Sequence, residues 1–322
     1  MPSERTSILR WTGRGSLEAL QTAVEFVLGG EGVKARVFPI GDSVVVEGPE
    51  PIGVAALFGE MPGVAWVAAG LTARSHKELV SASLQLAKRY LRSGERFSVE
   101  AEGEGGAVAA DVAGAVTSSI LEGAKGSRVS VESPKVRFRA ALEGERGVVG
   151  VQVKKGPGGS SMGKDKAGCF VSGGTHSSVL AWTAVLQGFR VRLVHAKYSE
   201  ESLRAVARLY SELSHRADPR GLSVEVLEGD SVAGALADYA KRSKDPLFVG
   251  HSAGSGSRHQ VPRALAPLYL QTEEKFISEM GALGINGFEG PEDWDRKGEG
   301  ARRVRRFGGV RADVSDVLDG LK

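Results

Sequence analysis

The sequence predicts a multidomain chain of mixed α+β and α/β class, ending in a doubly wound parallel sheet. Three observations carry this. Residues 1–71 read as strand, helix, two strands, helix, strand. From residue 164 onward, single strands alternate with helices, and strands separated by crossover helices lie parallel. Between those regions the basic density rises and a Gly-rich linker intervenes. At 322 residues the chain has material for two to three domains.

The elements follow in order. Ser7 to Trp11 is a short apolar strand. Ser16 stands where it can cap a helix over Leu17 to Leu28, whose Leu17, Leu20, Val24, Val27 and Leu28 form one apolar stripe before Gly29-Gly30 ends it. Val33 to Phe38 and Ser43 to Glu47 are strands joined at Gly41-Asp42. Pro51 opens a short helix to Phe58, and Val64 to Ala68 closes the set. This order is the ferredoxin-like split βαβ arrangement, over residues 1–71.

Residues 72–156 begin with a helix over Ser75 to Leu91, then a strand from Phe97 to Glu102 and an Ala/Val-rich helix over Val108 to Leu121. Strands Arg128 to Val131, Lys135 to Ala141 and Gly147 to Lys154 follow. Cations recur here: Lys88, Arg89, Arg92, Arg96, Arg128, Lys135, Arg137, Arg139, Lys154 and Lys155. Singly they read as solvated surface; interleaved on one sheet face, they suit contact with a phosphate backbone.

The run from Gly156 to Gly163 is a linker by composition. Beyond it, strands are expected at 167–171, 190–195, 222–227 and 246–250, and helices at 178–187, 200–215, 231–242 and roughly 262–281. Ligands on such sheets bind beyond the carboxyl ends of the strands, so the loops after Val171 and Val249 are where chemistry is expected. The first of these holds Ser172-Gly173-Gly174-Thr175-His176-Ser177. Two glycines admit a ligand close to the backbone, and the amides of the following helix face it with the positive end of the dipole. The loop lacks the Gly-Lys-Ser/Thr of a Walker motif and the spacing of a dinucleotide fingerprint.

Composition narrows the setting. No apolar run approaches the ~20 residues of a membrane span, and the start shows no secretory signal, so a cytoplasmic protein is expected. One cysteine excludes an internal disulfide or a cysteine-held cluster within this chain. Cys169 lies on the strand before the loop and reads as a small core residue. The net charge of +3 permits nucleic-acid binding without arguing for it.

With all segments in view, residues 5 to 285 resemble the tRNA 4-thiouridine synthetases, the ThiI family. That family joins a ferredoxin-like domain, a THUMP RNA-binding domain and a PP-loop domain of the adenine nucleotide α-hydrolase-like fold. The most specific part is Gly158-Gly159-Ser160-Ser161-Met162-Gly163-Lys164 leading to Ser172-Gly173-Gly174, with Ala181-Trp182 where the family's helix continues. The family pattern is Gly-Gly-Leu-Pro-Val-Gly, then Ser-Gly-Gly-x-Asp-Ser. The resemblance implies a THUMP domain at 72–156, a PP-loop domain at 164–289 and a charged tail at 290–322. It implies tRNA as partner, with Lys88, Arg92, Arg137, Arg139, Lys154 and Lys155 as candidate RNA contacts. ATP with Mg²⁺ would be the cofactor, held by Ser172, Gly173, Gly174, Thr175, His176 and Ser177, with Lys164 and Lys166 nearby. Gly250, Ser252 and Gly254 answer the family's second loop. The implied reaction activates a uridine carbonyl as an adenylate, and a persulfide sulfur then displaces AMP. A homodimer is compatible with the resemblance.

The departures are chemical. His176 stands where the pattern has Asp, and a neutral imidazole does not replace a carboxylate on a hard cation. Ser178 replaces Pro, and the second loop lacks the family's Glu and both Gln. No counterpart exists for the family's sulfur-carrying cysteines, so sulfur would come from an external carrier.

Gly250-His251-Ser252-Ala253-Gly254 also fits the Gly-x-Ser-x-Gly elbow of hydrolases, yet the only later histidine, His259, lies in the same loop. His176, His251 and His259 share the two loops and read as separate phosphate-facing residues, a three-imidazole metal site being the alternative. Arg302, Arg303, Arg305 and Arg306 read as a solvated helix face or loose tail, with tRNA contact as the alternative. Two functions stand open: an ATP-dependent tRNA sulfurtransferase fed from outside, or a tRNA-binding protein that keeps only a residual nucleotide or anion site.

Overall fold

The computed structural model describes residues 5–103, 106–229, 231–250, 264–265 and 301–321. They fall into two compact units, residues 1–161 and 162–322.

The first unit opens with β1 (Arg5–Trp11), α1 (Leu17–Gly30), β2 (Arg36–Ile40), β3 (Ser43–Glu47), α2 (Pro51–Phe58) and β4 (Val64–Ala73). Ser16 caps α1, its side chain accepting from the Ala19 amide, and the apolar stripe buries Leu20, Val24, Val27 and Leu28. The strands are ordered β2-β3-β1-β4, all antiparallel, which is the ferredoxin-like order read from the sequence. Then come α3 (His76–Tyr90), β5 (Arg96–Gly103), α4 (Gly106–Gly123), β6 (Arg128–Val129), β7 (Val136–Glu143) and β8 (Arg146–Lys155).

These do not start a separate sheet. β4 is longer than expected, and from Trp66 to Ala73 it pairs antiparallel with β8, so one eight-stranded sheet runs β2-β3-β1-β4-β8-β7-β5-β6. The step at residue 71 therefore falls inside a strand. Leu20, Val24 and Phe58 pack over one half of the sheet, while Leu79, Leu86, Val116 and Ile120 pack over the other. On the opposite face Ile8, Ile40 and Val45 meet Ala141 and Val148, so the sheet curls. Consecutive valines of β3 alternate between the two cores, because side chains of a strand point to alternate faces. The Gly156–Ser161 linker is tied back onto this unit: Thr12 donates to the Gly159 carbonyl at 2.8 Å and Ser161 to the Ser16 carbonyl at 2.8 Å.

The second unit contains β9 (Lys166–Phe170), α5 (Thr175–Leu186), β10 (Arg190–Ala196), α6 (Glu200–Arg216), β11 (Leu222–Gly229), α7 (Val232–Arg242), β12 (Leu247–Phe248), β13 (Ala264–Leu265), β14 (Ala301–Gly308) and α8 (Val314–Gly320). The sheet runs β13-β12-β9-β10-β11-β14, parallel from β13 to β11. Residues from α5, α6 and α8 build the core on one face, and α7 builds the other. Both faces are covered, which is the doubly wound class expected.

Two expectations are corrected. Ala264 and Leu265, placed in a helix over roughly 262–281, form a strand parallel to β12; the remainder of that span lies outside the described residues. The charged tail is neither helix face nor loose end at Ala301–Gly308. It is an antiparallel edge strand on β11. Arg306 lies opposite the fully buried Glu225 and bonds it at 3.1 Å, and Arg305 reaches Glu228 at 3.1 Å. Carboxylates on the neighbouring strand explain why arginine-rich residues settle there.

Candidate nucleotide and RNA sites

The sheet of the second unit reverses its strand order at β9. From β9 the chain crosses through α5 to β10 and through α6 to β11, then returns through α7 to β12 on the other flank. A crevice beyond the carboxyl ends of β9 and β12 is where such sheets take ligands. Both candidate loops lead into it.

Helix α5 begins at Thr175, earlier than the expected 178, so Thr175, His176 and Ser177 form its first turn. Its N-cap, Gly174, is extended, and no side chain caps the helix. The first turn carries the positive end of the helix dipole. Gly173 has φ 93°, a conformation that a side chain would strain. The Gly174 amide donates to Ser172 Oγ at 3.3 Å, and the Ser177 hydroxyl donates to the Gly174 carbonyl at 2.8 Å. A Cβ on Gly250 would stand 2.9 Å from the His176 carbonyl and the Ser177 amide nitrogen. Gly250 is thus a close backbone approach that brings the second loop onto the first.

Of the residues expected to hold nucleotide, Ser172, Gly173, Gly174, Thr175, His176, Ser177 and Gly250 converge here. Ser252 and Gly254, with His251 and His259, lie outside the described residues. Lys166 does not converge: it opens β9, six residues before Ser172, and a strand rises ~3.3 Å per residue, putting it roughly 20 Å away. Lys164 precedes that end of β9. Cys169 is fully buried among Val179, Leu180 and Leu193, and burial pushes its thiol far above the usual range, so it is no thiolate.

Two residues were not identified from the sequence. His195, fully buried at the end of β10, donates from Nδ1 to the Val171 carbonyl at 2.8 Å and places Nε2 3.1 Å from Ser202 Oγ. Burial holds its pKa down to about 4; the Val171 carbonyl opposes this and the Lys197 charge adds to it. Tyr198 donates to the Ser172 carbonyl at 2.9 Å, and burial raises its phenol to about 12. A histidine closing an apolar strand, with Tyr three residues on, was the signal available.

The candidate RNA contacts of the first unit gather at one end of its sheet rather than on one face. That end holds the C-terminus of α3, the starts of β5, β6 and β7, and the end of β8. Lys88, Arg92 and Lys155 are exposed there and Arg137 is half-buried. Tyr90, with the Arg89 guanidinium 5.3 Å from its ring centre, and the 80 % exposed Val131 share this end. Lys154 is paired with Glu60 at 3.1 Å. Arg139 is turned inward: 7 % exposed, it bonds Gln152 at 2.7 and 3.1 Å, pairs with Glu100 and lies 4.7 Å over Trp66. It shares a face of β7 with Arg137 but lies two residues further into the strand, and burial lowers its pKa to about 10. It holds the sheet rather than offering a contact.

Chemically, the loop offers backbone donors, hydroxyls and one imidazole, a donor set for phosphate oxygens. None of residues 172–177 carries a carboxylate, and among the described residues no group of three or more His, Cys, Asp or Glu is placed to hold a metal. The loop therefore fits an anion and does not by itself fit Mg²⁺. Among the described residues no helix is long and apolar enough to cross a membrane.

No family model matches the chain. A tRNA sulfurtransferase of Pyrobaculum aerophilum is 32% identical over 106 residues, which is 32% of this chain. The aligned stretch spans only 22% of that relative's length. The solved structure of a 4-thiouridine synthetase–RNA complex with bound ATP superposes with TM-score 0.68 at 17% identity, covering 99% of this chain and 95% of that one. The structure of PH1313 from Pyrococcus horikoshii Ot3 gives 0.66 at 17% identity, covering 87% of this chain and 99% of its own. The fold class and the resemblance to the 4-thiouridine synthetase family, both read from the sequence, are borne out.

Proposed function

We propose that this chain is a tRNA-binding protein with the THUMP and PP-loop layout, acting as an ATP-dependent tRNA sulfurtransferase that receives sulfur from an external carrier. The observation that carries the reading is the backbone cradle of Ser172–Ser177 at the strand-order reversal, closed by Gly250. The relative named a tRNA sulfurtransferase, and the neighbour solved with RNA and ATP, support it.

In this reading the Ser172 and Gly173 amides and the positive end of helix α5 hold phosphate oxygens, and Ser172 adds a hydroxyl. The cradle aligns ATP so that a uridine carbonyl oxygen attacks the α-phosphorus and pyrophosphate departs. Charge on the departing group meets the positive end of helix α5 and the His176 imidazole. Mg²⁺, where it binds, would come with the nucleotide and neutralise phosphate charge. Sulfur arrives from outside, because Cys169 is sealed in the core. Lys88, Arg92, Arg137 and Lys155, with Tyr90 for base stacking, would hold the tRNA backbone. The compartment proposed is the cytoplasm, where such RNA is met.

The second reading, a tRNA-binding protein with only a residual nucleotide or anion site, is favoured by one observation: His176 at the position of the motif's Asp. Measuring tRNA-dependent ATP–pyrophosphate exchange separates the two. Exchange that requires tRNA establishes the enzyme; nucleotide binding without exchange establishes the residual site.

A further inference from the structure

The peptide planes that enter the cradle are set from behind. β9 ends at Phe170, so the carbonyls of Val171 and Ser172 lie past the strand. Both are taken by side chains from the end of β10 and the β10–α6 connection: His195 Nδ1 at 2.8 Å on Val171 and the Tyr198 hydroxyl at 2.9 Å on Ser172. The Val171 amide also donates that way, to Val194 at 2.9 Å.

No peptide bond among the described residues is cis. In a trans peptide the C=O and the next N–H point in opposite directions. Fixing the Val171 carbonyl on the β10 side turns the Ser172 amide toward the β12 side, where the strand order reverses. Fixing the Ser172 carbonyl on Tyr198 turns the Gly173 amide away from α6. The two bonds thus aim two donors at the crevice.

The buttress is itself held. The rings of His195 and Tyr198 are 5.9 Å apart, and His195 Nε2 meets Ser202 Oγ at 3.1 Å. Ser202 forms the capping box of α6 with Ser199, so the imidazole is anchored to a helix N-terminus. A leucine would fill the His195 site at less desolvation cost, so the imidazole's distinct contribution there is its two polar contacts, to the Val171 carbonyl and to Ser202.

We propose that His195 and Tyr198 are positioning residues for the phosphate-binding loop, holding the Val171 and Ser172 carbonyls so that the Ser172 and Gly173 amides face the nucleotide's phosphates. This rests on the nucleotide reading above. The two residues touch no ligand and act through the backbone.

The full-length chain is titrated with ATP and, separately, with adenosine, alongside Tyr198→Phe, His195→Asn and His195→Leu. Tyr198→Phe keeps the ring and removes one donor; it should weaken ATP by about tenfold, as expected for one misdirected phosphate donor, with adenosine unchanged. His195→Asn keeps an N–H near Nδ1 and should stay within about threefold of the parent, while His195→Leu should lose more than about tenfold. A merely structural role would lower the melting temperature and shift ATP and adenosine alike. Tyr198→Phe that binds ATP as tightly as the parent overturns the proposal, and it decides alone should His195→Leu fail to fold. If the parent does not bind ATP, the nucleotide reading falls and takes this inference with it. An unchanged variant beside a parent that binds overturns only the inference.

Discussion

The two candidate sites present positive charge by different means. In the second unit it is carried by backbone amides, fixed by a left-handed Gly173, a close Gly250 and two buried side-chain bonds from His195 and Tyr198. In the first unit it sits on exposed lysines and arginines at a sheet end, free to follow a partner. Backbone donors lose no side-chain entropy and are little screened. Exposed cations are adaptable and salt-sensitive. A compact polyphosphate suits the first arrangement and an extended RNA backbone suits the second.

The largest effect separating them is geometric. Gly173→Val forces a β-branched residue to φ 93°, and Gly250→Val drives a side chain into the His176–Ser177 backbone. Either should abolish ATP binding in calorimetry while leaving tRNA affinity unchanged. Loss of both together would mean the sites are not separate.

Salt breaks the comparison from the other side. If Lys88, Arg92, Arg137 and Lys155 each meet one phosphate, tRNA affinity should fall roughly 10²-fold between 50 and 200 mM salt, and ATP affinity much less. Arg92→Ala should reduce the log–log slope by about 1. Arg139→Ala should leave the slope intact and instead cost about 2 kcal/mol of stability in denaturant melts, since it breaks a buried network. A slope change at Arg139 would return it to the RNA surface.

Acid sharpens the role of His195. Its folded pKa of about 4 lies below the ordinary value, because burial favours the neutral ring. An unfolded chain takes up this proton near pH 6.5 and the folded one only near 4, so stability is intact above that window and falls within it. The loss approaches about 3 kcal/mol by pH 4. His195→Asn should flatten that part of the pH–stability curve.

Cys169→Ser should do least: roughly 1–2 kcal/mol for a buried hydroxyl, with ATP and tRNA affinities unchanged. Loss of thiolation in a folded, ATP-binding Cys169→Ser would instead make it the sulfur carrier.

Most elements were legible because their periodicity and caps agree: Ser16 and Ser75 sit where caps belong, and Pro51 opens α2. The Ser-Gly-Gly loop was legible through its glycines. What the sequence hid was tertiary. Arg139 looks like Arg137, its neighbour on the same strand face, until the fold brings Trp66 and Gln152 onto it. The strand at Ala301–Gly308 is disguised by arginines whose partners, Glu225 and Glu228, lie about 80 residues earlier in the chain. The joining of β4 to β8 into one sheet depends on a pairing far apart in sequence and leaves no local mark, while the bonds of His195 and Tyr198 to the loop show in the sequence only as a histidine and a tyrosine three apart at a strand end.

The most direct test of the backbone cradle is an ATP titration of the intact chain with and without Mg²⁺. His176 leaves the loop no carboxylate, so one site per chain is expected, with affinity changing less than about threefold on adding EDTA, and His176→Asp should create a magnesium requirement. Absence of ATP binding, or a parent protein that already needs magnesium to bind, would contradict the account.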